Sequence, residues 1–108
     1  MTFNEYQEKA LNTANYPTDF KIIYPALGLA NESGEVLGKI KKVIRDNECI
    51  FSEDKKEAIS YEIGDVLWYC AVLANDLNIS FEEIFEKNIS KLEKRKNNNT
   101  IQGDGDYR

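Results

Sequence analysis

Residues 63–74 read IGDVLWYCAVLA, and this stretch decides the fold class of the 108-residue chain. It is apolar on nearly every side of a helix, which is typical of a helix that neighbouring helices cover. No run of alternating apolar and polar residues elsewhere competes with the helical pattern. The sequence therefore predicts an all-α protein in which this stretch belongs to the third of four helices.

Start and stop signals place the four helices. The expected spans, in chain order, are about 3–14, 24–45, 53–77 and 81–96. Thr2 and Glu5 form a predicted capping box at the start of the first helix, and Ser80 and Glu83 form a second one at the start of the fourth. We expect one domain over residues 1–96, followed by a Gly/Asp-rich tail of residues 97–108 that ends in GDGDYR.

The composition argues against several classes of protein. The chain has 14 Lys and Arg residues against 19 Asp and Glu residues, a net charge of −5 at pH 7. A protein that grips the backbone of a nucleic acid needs a basic face, so we expect no nucleic-acid polymer as partner. No apolar run is long enough to span a membrane, and the N-terminus does not read as a secretion signal. We expect a cytoplasmic protein.

Histidine is absent, which removes imidazole chemistry. Neither a His-activated nucleophile nor a His-ligated metal is available. The two cysteines, Cys49 and Cys70, lack the spacing of a zinc site and are too few for a disulfide scaffold. Any enzymatic chemistry must therefore depend on carboxylates, lysines or a bound cation.

The apolar third helix also bears on assembly. A chain of 108 residues leaves a large share of its surface exposed, so three companion helices can hardly cover a helix that is apolar all round. A second copy of the chain would supply the missing cover, most simply in a two-fold homodimer. A well-buried central helix in a monomer is the alternative.

Two acidic pairs are the candidate functional residues. The second helix carries Glu32 and Glu35, three residues apart, and the third carries Glu62 and Asp65 at the same spacing. This spacing puts both members of a pair on one side of a helix, at the border of its apolar face. The two cross-pairs have the same midpoint, position 48.5, which lies in the expected loop. In an antiparallel hairpin all four carboxylates would therefore lie at one level.

Carboxylates gathered between two helices repel one another. Two unit charges about 5 Å apart repel by roughly 3 kcal/mol at an effective dielectric constant of about 20. A cation would relieve this repulsion, and an oxygen-only donor set favours Mg²⁺, with Mn²⁺ as a substitute. A solvated acidic face and a salt bridge to Lys39, one turn after Glu35, are the other interpretations. The absence of histidine excludes a ferritin-like di-iron site.

Residues that suit a polyphosphate are also present. Lys39 lies on the acidic side of the second helix. Asn88, Lys91 and Arg95 form a stripe on the fourth helix, where Arg95 suits bidentate contact with a phosphate. In the tail, Arg108 could reach a phosphate. Alternatively, the cations near the helix ends compensate helix dipoles, and the tail is a disordered chain end.

A family resemblance is carried by three segments: LANESGE at 29–35, YEIGDVLWY at 61–69 and NISKLEKR at 88–95. They resemble the MazG-like nucleotide pyrophosphohydrolases, also called all-alpha NTP pyrophosphatases. The resemblance implies a four-helix MazG-like bundle, a homodimer or homotetramer, and Mg²⁺-dependent hydrolysis of nucleoside triphosphates. It also implies a set of metal ligands and catalytic residues, which are Glu32, Glu35, Glu62 and Asp65.

The sequence therefore predicts an enzyme that hydrolyses nucleoside triphosphates, deoxynucleotides included, to the monophosphate and pyrophosphate. Either Glu32 or Glu35 would orient the attacking water. The basic residues would hold the substrate, and the tail could close over the site. Two alternatives remain open: a dUTP- or dCTP-preferring diphosphohydrolase on the same scaffold, and a non-enzymatic helical dimerisation or adaptor module.

Overall fold

The computed structural model describes residues 1–108 and shows four α-helices and no strand. The helices are α1 (Phe3–Leu11), α2 (Ile23–Asp46), α3 (Glu53–Asp76) and α4 (Phe81–Asn97), with a short 3₁₀ turn at Thr18–Phe20. This confirms the predicted all-α fold class and the order of its elements. None of the helices combines the length and the apolar character that crossing a membrane requires.

Side-chain caps begin three of the helices. Thr2 accepts a hydrogen bond from Glu5 N–H, and the Glu5 carboxylate accepts one from Thr2 N–H, which completes the capping box of α1. Ser52 caps α3 and Ser80 caps α4, each accepting from the backbone N–H three residues later. The capping box predicted at Ser80 is therefore only half formed, because the Glu83 carboxylate pairs with Lys87 Nζ at 2.8 Å instead of accepting from Ser80 N–H. These caps satisfy N–H groups that a helix start leaves unpaired, so they fix where each helix begins.

The first helix ends at Leu11, earlier than the predicted end near Ala14. Thr13 N–H donates to Ala10 O at 3.0 Å, three residues back instead of four. The Thr13 hydroxyl also donates to Ala10 O at 2.8 Å and accepts from Trp68 Nε1 at 2.8 Å. A hydroxyl that competes for backbone groups in this way favours a turn over a further helical turn.

The hairpin of α2 and α3 is the main packing unit. Its two helices have 24 residues each and run antiparallel through a short loop. In that loop Glu48 and Cys49 have left-handed φ angles of 53° and 60°. Helix α1 packs against α3 and α4. Their junction holds the core, which consists of Ala10, Ala71, Val72, Ala74 and Phe81.

A buried glutamine ties α1 to the junction of α3 and α4. Gln7 Nε2 donates to the carbonyl oxygens of Ala71 and Ile79, both at 3.1 Å. Gln7 Oε1 accepts from Phe81 N–H, also at 3.1 Å, in the first turn of α4. One side chain thus satisfies backbone groups of three segments at a place that water hardly reaches.

The protomer buries little of its own surface. Only nine of its 108 residues are buried, and its radius of gyration is 16.8 Å, against about 13 Å for a compact chain of this length. Its accessible surface is 8111 Å², roughly 2,000 Å² more than a compact monomer of this mass exposes. Large exposed apolar side chains include Leu27, Leu37 and Ile44 on α2. Leu37 and Ile44 line one groove, and an exposed apolar groove is typical of a face that another molecule covers.

Candidate metal centre

Three carboxylates of the hairpin meet in one place, here called the carboxylate centre. Glu32 of α2 and Glu62 and Asp65 of α3 each offer an oxygen, and these oxygens lie within 4.8 Å of one another. Glu32 and Glu62 are partly buried, whereas Asp65 is exposed. The antiparallel packing of α2 on α3 sets this register, because it brings one residue of α2 level with two residues of α3.

The carboxylate centre has more negative charge than its neighbours neutralise. Two of its charges 4.8 Å apart repel by about 3 kcal/mol at an effective dielectric constant of about 20. The pKa of Glu32 is raised, first by burial and then by the charges of Asp65 and Glu62. Lys39 Nζ approaches Glu62 Oε1 at 3.8 Å. One half-exposed lysine at that distance offsets only part of the repulsion among three acids.

Glu35 lies at the edge of the centre, outside the group of three. Its side chain is exposed, although its charge still contributes to the raised pKa of Glu32. The reason is helical geometry: three residues turn a helix by about 300°, so Glu35 points about 60° away from Glu32 around α2. The structure therefore brings three of the four predicted acids together and keeps the fourth close by.

The predicted cations of α4 contact the C-terminal tail. Arg95 is buried, and its Nη2 donates to the carbonyl oxygens of Gly105 at 3.2 Å and Asp106 at 3.0 Å. The Asp106 carboxylate lies 3.3 Å from Lys91 Nζ and 3.6 Å from Arg95 Nη2. The hydrogen bond from Lys91 is the main cause of the lowered pKa of Asp106. In the protomer, Lys91 and Arg95 thus bind an anion of their own chain.

Arg108 and Asn88 also have neighbours other than the carboxylates. The Arg108 guanidinium donates to the carbonyl oxygens of Thr100 at 3.0 Å and Ile101 at 2.7 Å, so it fastens the tail to itself. Asn88 is exposed and lines a surface groove of α4 together with Lys91. The predicted site residues therefore fall into two groups: the acids with Lys39 on the hairpin, and the polar residues of α4 with the tail.

An aromatic surface beside the carboxylate centre was not predicted. The Tyr69 ring lies directly on Gly28, where an added Cβ would come within 2.1 Å of a ring carbon. Burial raises the pKa of Tyr69, with smaller contributions from Tyr24 and Glu32. Tyr24, Gly28 and Glu32 recur every four residues along α2, and this spacing is the signal that could have revealed the surface.

The segment between α1 and α2 is fastened to the end of α3. The Tyr16 hydroxyl donates to Asp76 Oδ2 at 2.6 Å, and Ile22 N–H donates to the same oxygen at 2.9 Å. The Tyr16 ring stacks on Tyr24, with centroids 4.8 Å apart and planes inclined by 11°. Ile22 has a φ of 70°, a left-handed value that β-branched residues rarely adopt. Asp76 therefore holds the start of α2, and Tyr24 with it, in a fixed place.

The fold and its carboxylate centre define an all-helical protein with an acidic, oxygen-only site on a helical hairpin. Residues 25–100 match the MazG nucleotide pyrophosphohydrolase domain. This match covers well over half of the chain and spans the hairpin and α4, so the chain belongs to the MazG family. The family predicted from the sequence is thereby confirmed.

The chain is also similar to a phage protein of nearly the same length. The Gene 37 protein of Mycobacterium phage L5 is 37% identical over 109 residues, an alignment that covers 95% of this chain and 96% of that protein. No solved structure matches the chain.

Proposed function

We propose that the protein is a Mg²⁺-dependent pyrophosphohydrolase of nucleoside triphosphates, deoxynucleotides included, in which Mn²⁺ can replace Mg²⁺. The observation that carries the proposal is the carboxylate centre, in which three acids from two helices of the matched domain bring their oxygens within 4.8 Å. The family supports the class of reaction, and the centre supports the use of a metal.

The donor set of the centre suits a hard divalent cation. It consists of carboxylate oxygens only, and the one lysine beside it leaves a net negative charge. Glu32, Glu62 and Asp65 would hold the ion, and Glu35 stands at the edge as a fourth ligand or as the base. When bound, the metal would neutralise phosphate charge and lower the pKa of a water molecule.

The reaction needs a water molecule in line with the leaving pyrophosphate. The water oxygen attacks the α-phosphorus, the bond from that phosphorus to the bridging oxygen breaks, and a water proton passes to a carboxylate. Glu32 or Glu35 would take this proton. Glu35 lies outside the group of three and is free for this role, whereas Glu32 would take it only in place of its role as a ligand. Lys39 would contact the departing phosphates.

The polar residues of α4 and the tail could contact the substrate from a second copy of the chain. Within one protomer, Lys91 and Arg95 contact Asp106 of the tail and not the carboxylate centre. The α4 helix of a second copy, docked near the centre, would bring such groups to the phosphates. The residues concerned are Asn88, Lys91, Arg95 and Arg108.

We expect the working form to be a homodimer or a homotetramer. The excess exposed surface of the protomer, roughly 2,000 Å², is more than twice the area of about 800 Å² that each partner of a standard interface buries. A groove of about 740 Å³ runs along the outer side of α2, with a mostly apolar surface. It is lined by Gly34, Leu37, Gly38, Ile40, Lys41, Ile44 and Arg45. The space above both glycines is open, so another helix could approach closely there. We assign this groove as the contact between copies.

The substitution Leu37→Glu is expected to dissociate the oligomer without unfolding the protomer. Leu37 is 67% exposed in the protomer, so a charge there costs the isolated fold little. Burying the same charge between two copies would cost several kcal/mol. Size-exclusion chromatography with light scattering measures the molar mass. Phe20→Glu makes a similar change at an exposed apolar side chain of the 3₁₀ turn, outside the groove, α4 and the tail, and should keep the wild-type mass. An unchanged mass for Leu37→Glu contradicts the assigned face.

A screen for pyrophosphate release tests the proposed function. It takes the ribo- and deoxyribonucleoside triphosphates one by one, with Mg²⁺, with Mn²⁺ and with a chelator. Release that requires the metal supports the proposal, and release confined to dUTP or dCTP identifies the narrower diphosphohydrolase. If nothing is cleaved and calorimetry finds no binding of Mg²⁺ with a non-hydrolysable triphosphate, the adaptor alternative holds instead.

A further inference from the structure

The aromatic surface extends the carboxylate centre toward the start of α2. We call it the tyrosine wall: Tyr24 and Tyr69, with Tyr16 stacked behind Tyr24. Gly28 lies four residues before Glu32, and Tyr24 lies four residues before Gly28. At 1.5 Å per residue, these positions are about 6 Å and about 12 Å from Glu32 along the helix axis. The wall therefore begins one helical turn from the acids and continues for a second turn.

Lys39 lies on the opposite side of the acids. It follows Glu32 by seven residues, which is about 10 Å in the other direction along α2. Its ammonium group approaches Glu62 at 3.8 Å. Helix α2 thus carries an aromatic group, one acid of the carboxylate centre and a cation in that order. A nucleoside triphosphate bound to a metal has the matching order: a flat base at one end, metal-bound phosphates in the middle, and further negative charge at the other end.

The tyrosine wall is both accessible and held in place. Tyr24 is 42% exposed, and Leu27, three residues along the same helix, is 66% exposed. The Tyr16 ring supports Tyr24 from behind, and Asp76 holds Tyr16 through a hydrogen bond of 2.6 Å. A ring that is already ordered loses little conformational freedom when a second ring stacks on it, which favours binding.

We propose that the tyrosine wall binds the nucleobase of the substrate, with Tyr24 stacking on the base and the triphosphate running along α2 from the wall to Lys39. This inference rests on the proposed function and adds the direction of the substrate and the residues that contact its nucleoside. Every base has an aromatic face, so the wall distinguishes nucleotides from bare polyphosphates more than it distinguishes one base from another.

The test compares dATP with abasic deoxyribose 5-triphosphate, which has the sugar and the phosphates but no base. Tyr24→Leu keeps an apolar side chain and removes the ring. It should raise KM for dATP by about 5- to 160-fold, the range expected for the loss of one base–aromatic stack. KM for the abasic compound should not change, which also shows that the variant is folded. Tyr24→Phe keeps the ring and should keep both wild-type KM values.

Two further variants complete the experiment. Lys39→Ala should raise KM for both substrates by a similar factor, because both carry the triphosphate. Phe51→Leu removes a partly exposed aromatic ring from the α2–α3 loop, at the other end of the hairpin from the wall, and should change neither KM. The inference is overturned if Tyr24→Leu leaves KM for dATP unchanged or raises KM for both substrates equally. A wild-type protein that cleaves no triphosphate at all overturns the proposed function, and this inference with it.

Discussion

The substitution Glu32→Gln is expected to reduce metal-dependent pyrophosphate release about 10³-fold, the loss that follows removal of a key electrostatic group from an active site. The same change is expected to make the metal-free protein more stable. The raised pKa of Glu32, caused by burial and by the neighbouring acids, means that the folded state disfavours its ionised form. Glutamine keeps the size of the side chain and removes the charge, so the penalty disappears at neutral pH. Activity and stability should therefore move in opposite directions.

Three measurements check this prediction. A pyrophosphate assay follows activity, and thermal melting in a chelator follows the stability of the metal-free protein. Melting with added Mg²⁺ follows binding, which should stabilise the wild type more than the variant. Glu93→Gln changes an exposed acid of α4 and should match the wild type in all three. A Glu32→Gln protein that stays fully active, or that melts below the wild type in chelator, would contradict the carboxylate centre.

The substitution Gln7→Leu is expected to lower the free energy of unfolding by about 2–4 kcal/mol, the cost of leaving two or more buried polar groups without partners. Leucine has nearly the same volume, but it can neither donate to Ile79 O nor accept from Phe81 N–H. Gln7 is only 8% exposed, so water cannot easily replace these bonds. The loss is a large fraction of the stability of a typical domain, which is about 5–15 kcal/mol.

Urea denaturation followed by circular dichroism measures this loss. Gln102→Leu, the same change in the exposed tail, should shift the free energy of unfolding by less than about 0.5 kcal/mol. Gln7→Glu keeps an acceptor for Phe81 N–H but places a carboxylate against the carbonyl oxygens of Ala71 and Ile79, so it should destabilise the protein as well. If Gln7→Leu is as stable as the wild type, the three hydrogen bonds do not hold α1 to the rest of the protein.

The sequence predicts those features of the fold that depend on near neighbours. The caps at Thr2, Ser52 and Ser80 act over three residues, so they report where α1, α3 and α4 begin without knowledge of the tertiary structure. The proximity of Glu32 to Asp65 follows from counting residues on both sides of a short loop. A tight antiparallel hairpin leaves little freedom in that register.

Features that depend on rotation between helices are not predictable in this way. Counting places Glu35 level with Glu62, but it does not report that Glu35 is turned away from the group of three. Contact between Tyr69 and Gly28 likewise depends on how closely α2 and α3 approach. The spacing of residues along a helix predicts which side chains share a face, but it does not predict which residues that face contacts.

The partners of the α4 cations could not be predicted from the sequence, for a different reason. The spacing of Lys91 and Arg95 is that of a phosphate-binding stripe, but the anion beside them in the protomer is Asp106. The tail reaches them through a chain reversal in which Gly103 and Gly105 have φ angles of 136° and 87°, values that side chains other than glycine rarely adopt. A charge pattern does not reveal such a reversal.

Because the core of the protomer is small, the stability of the protein should depend on its concentration. With nine residues buried, a lone chain has little to resist unfolding, and most of the burial it needs would come from another copy. By mass action, dilution would then shift the equilibrium toward separate chains, which are less stable. The melting temperature should climb as the concentration of chains rises, and below the dissociation constant of the proposed assembly the separate protomers should keep their helices but melt at a lower temperature.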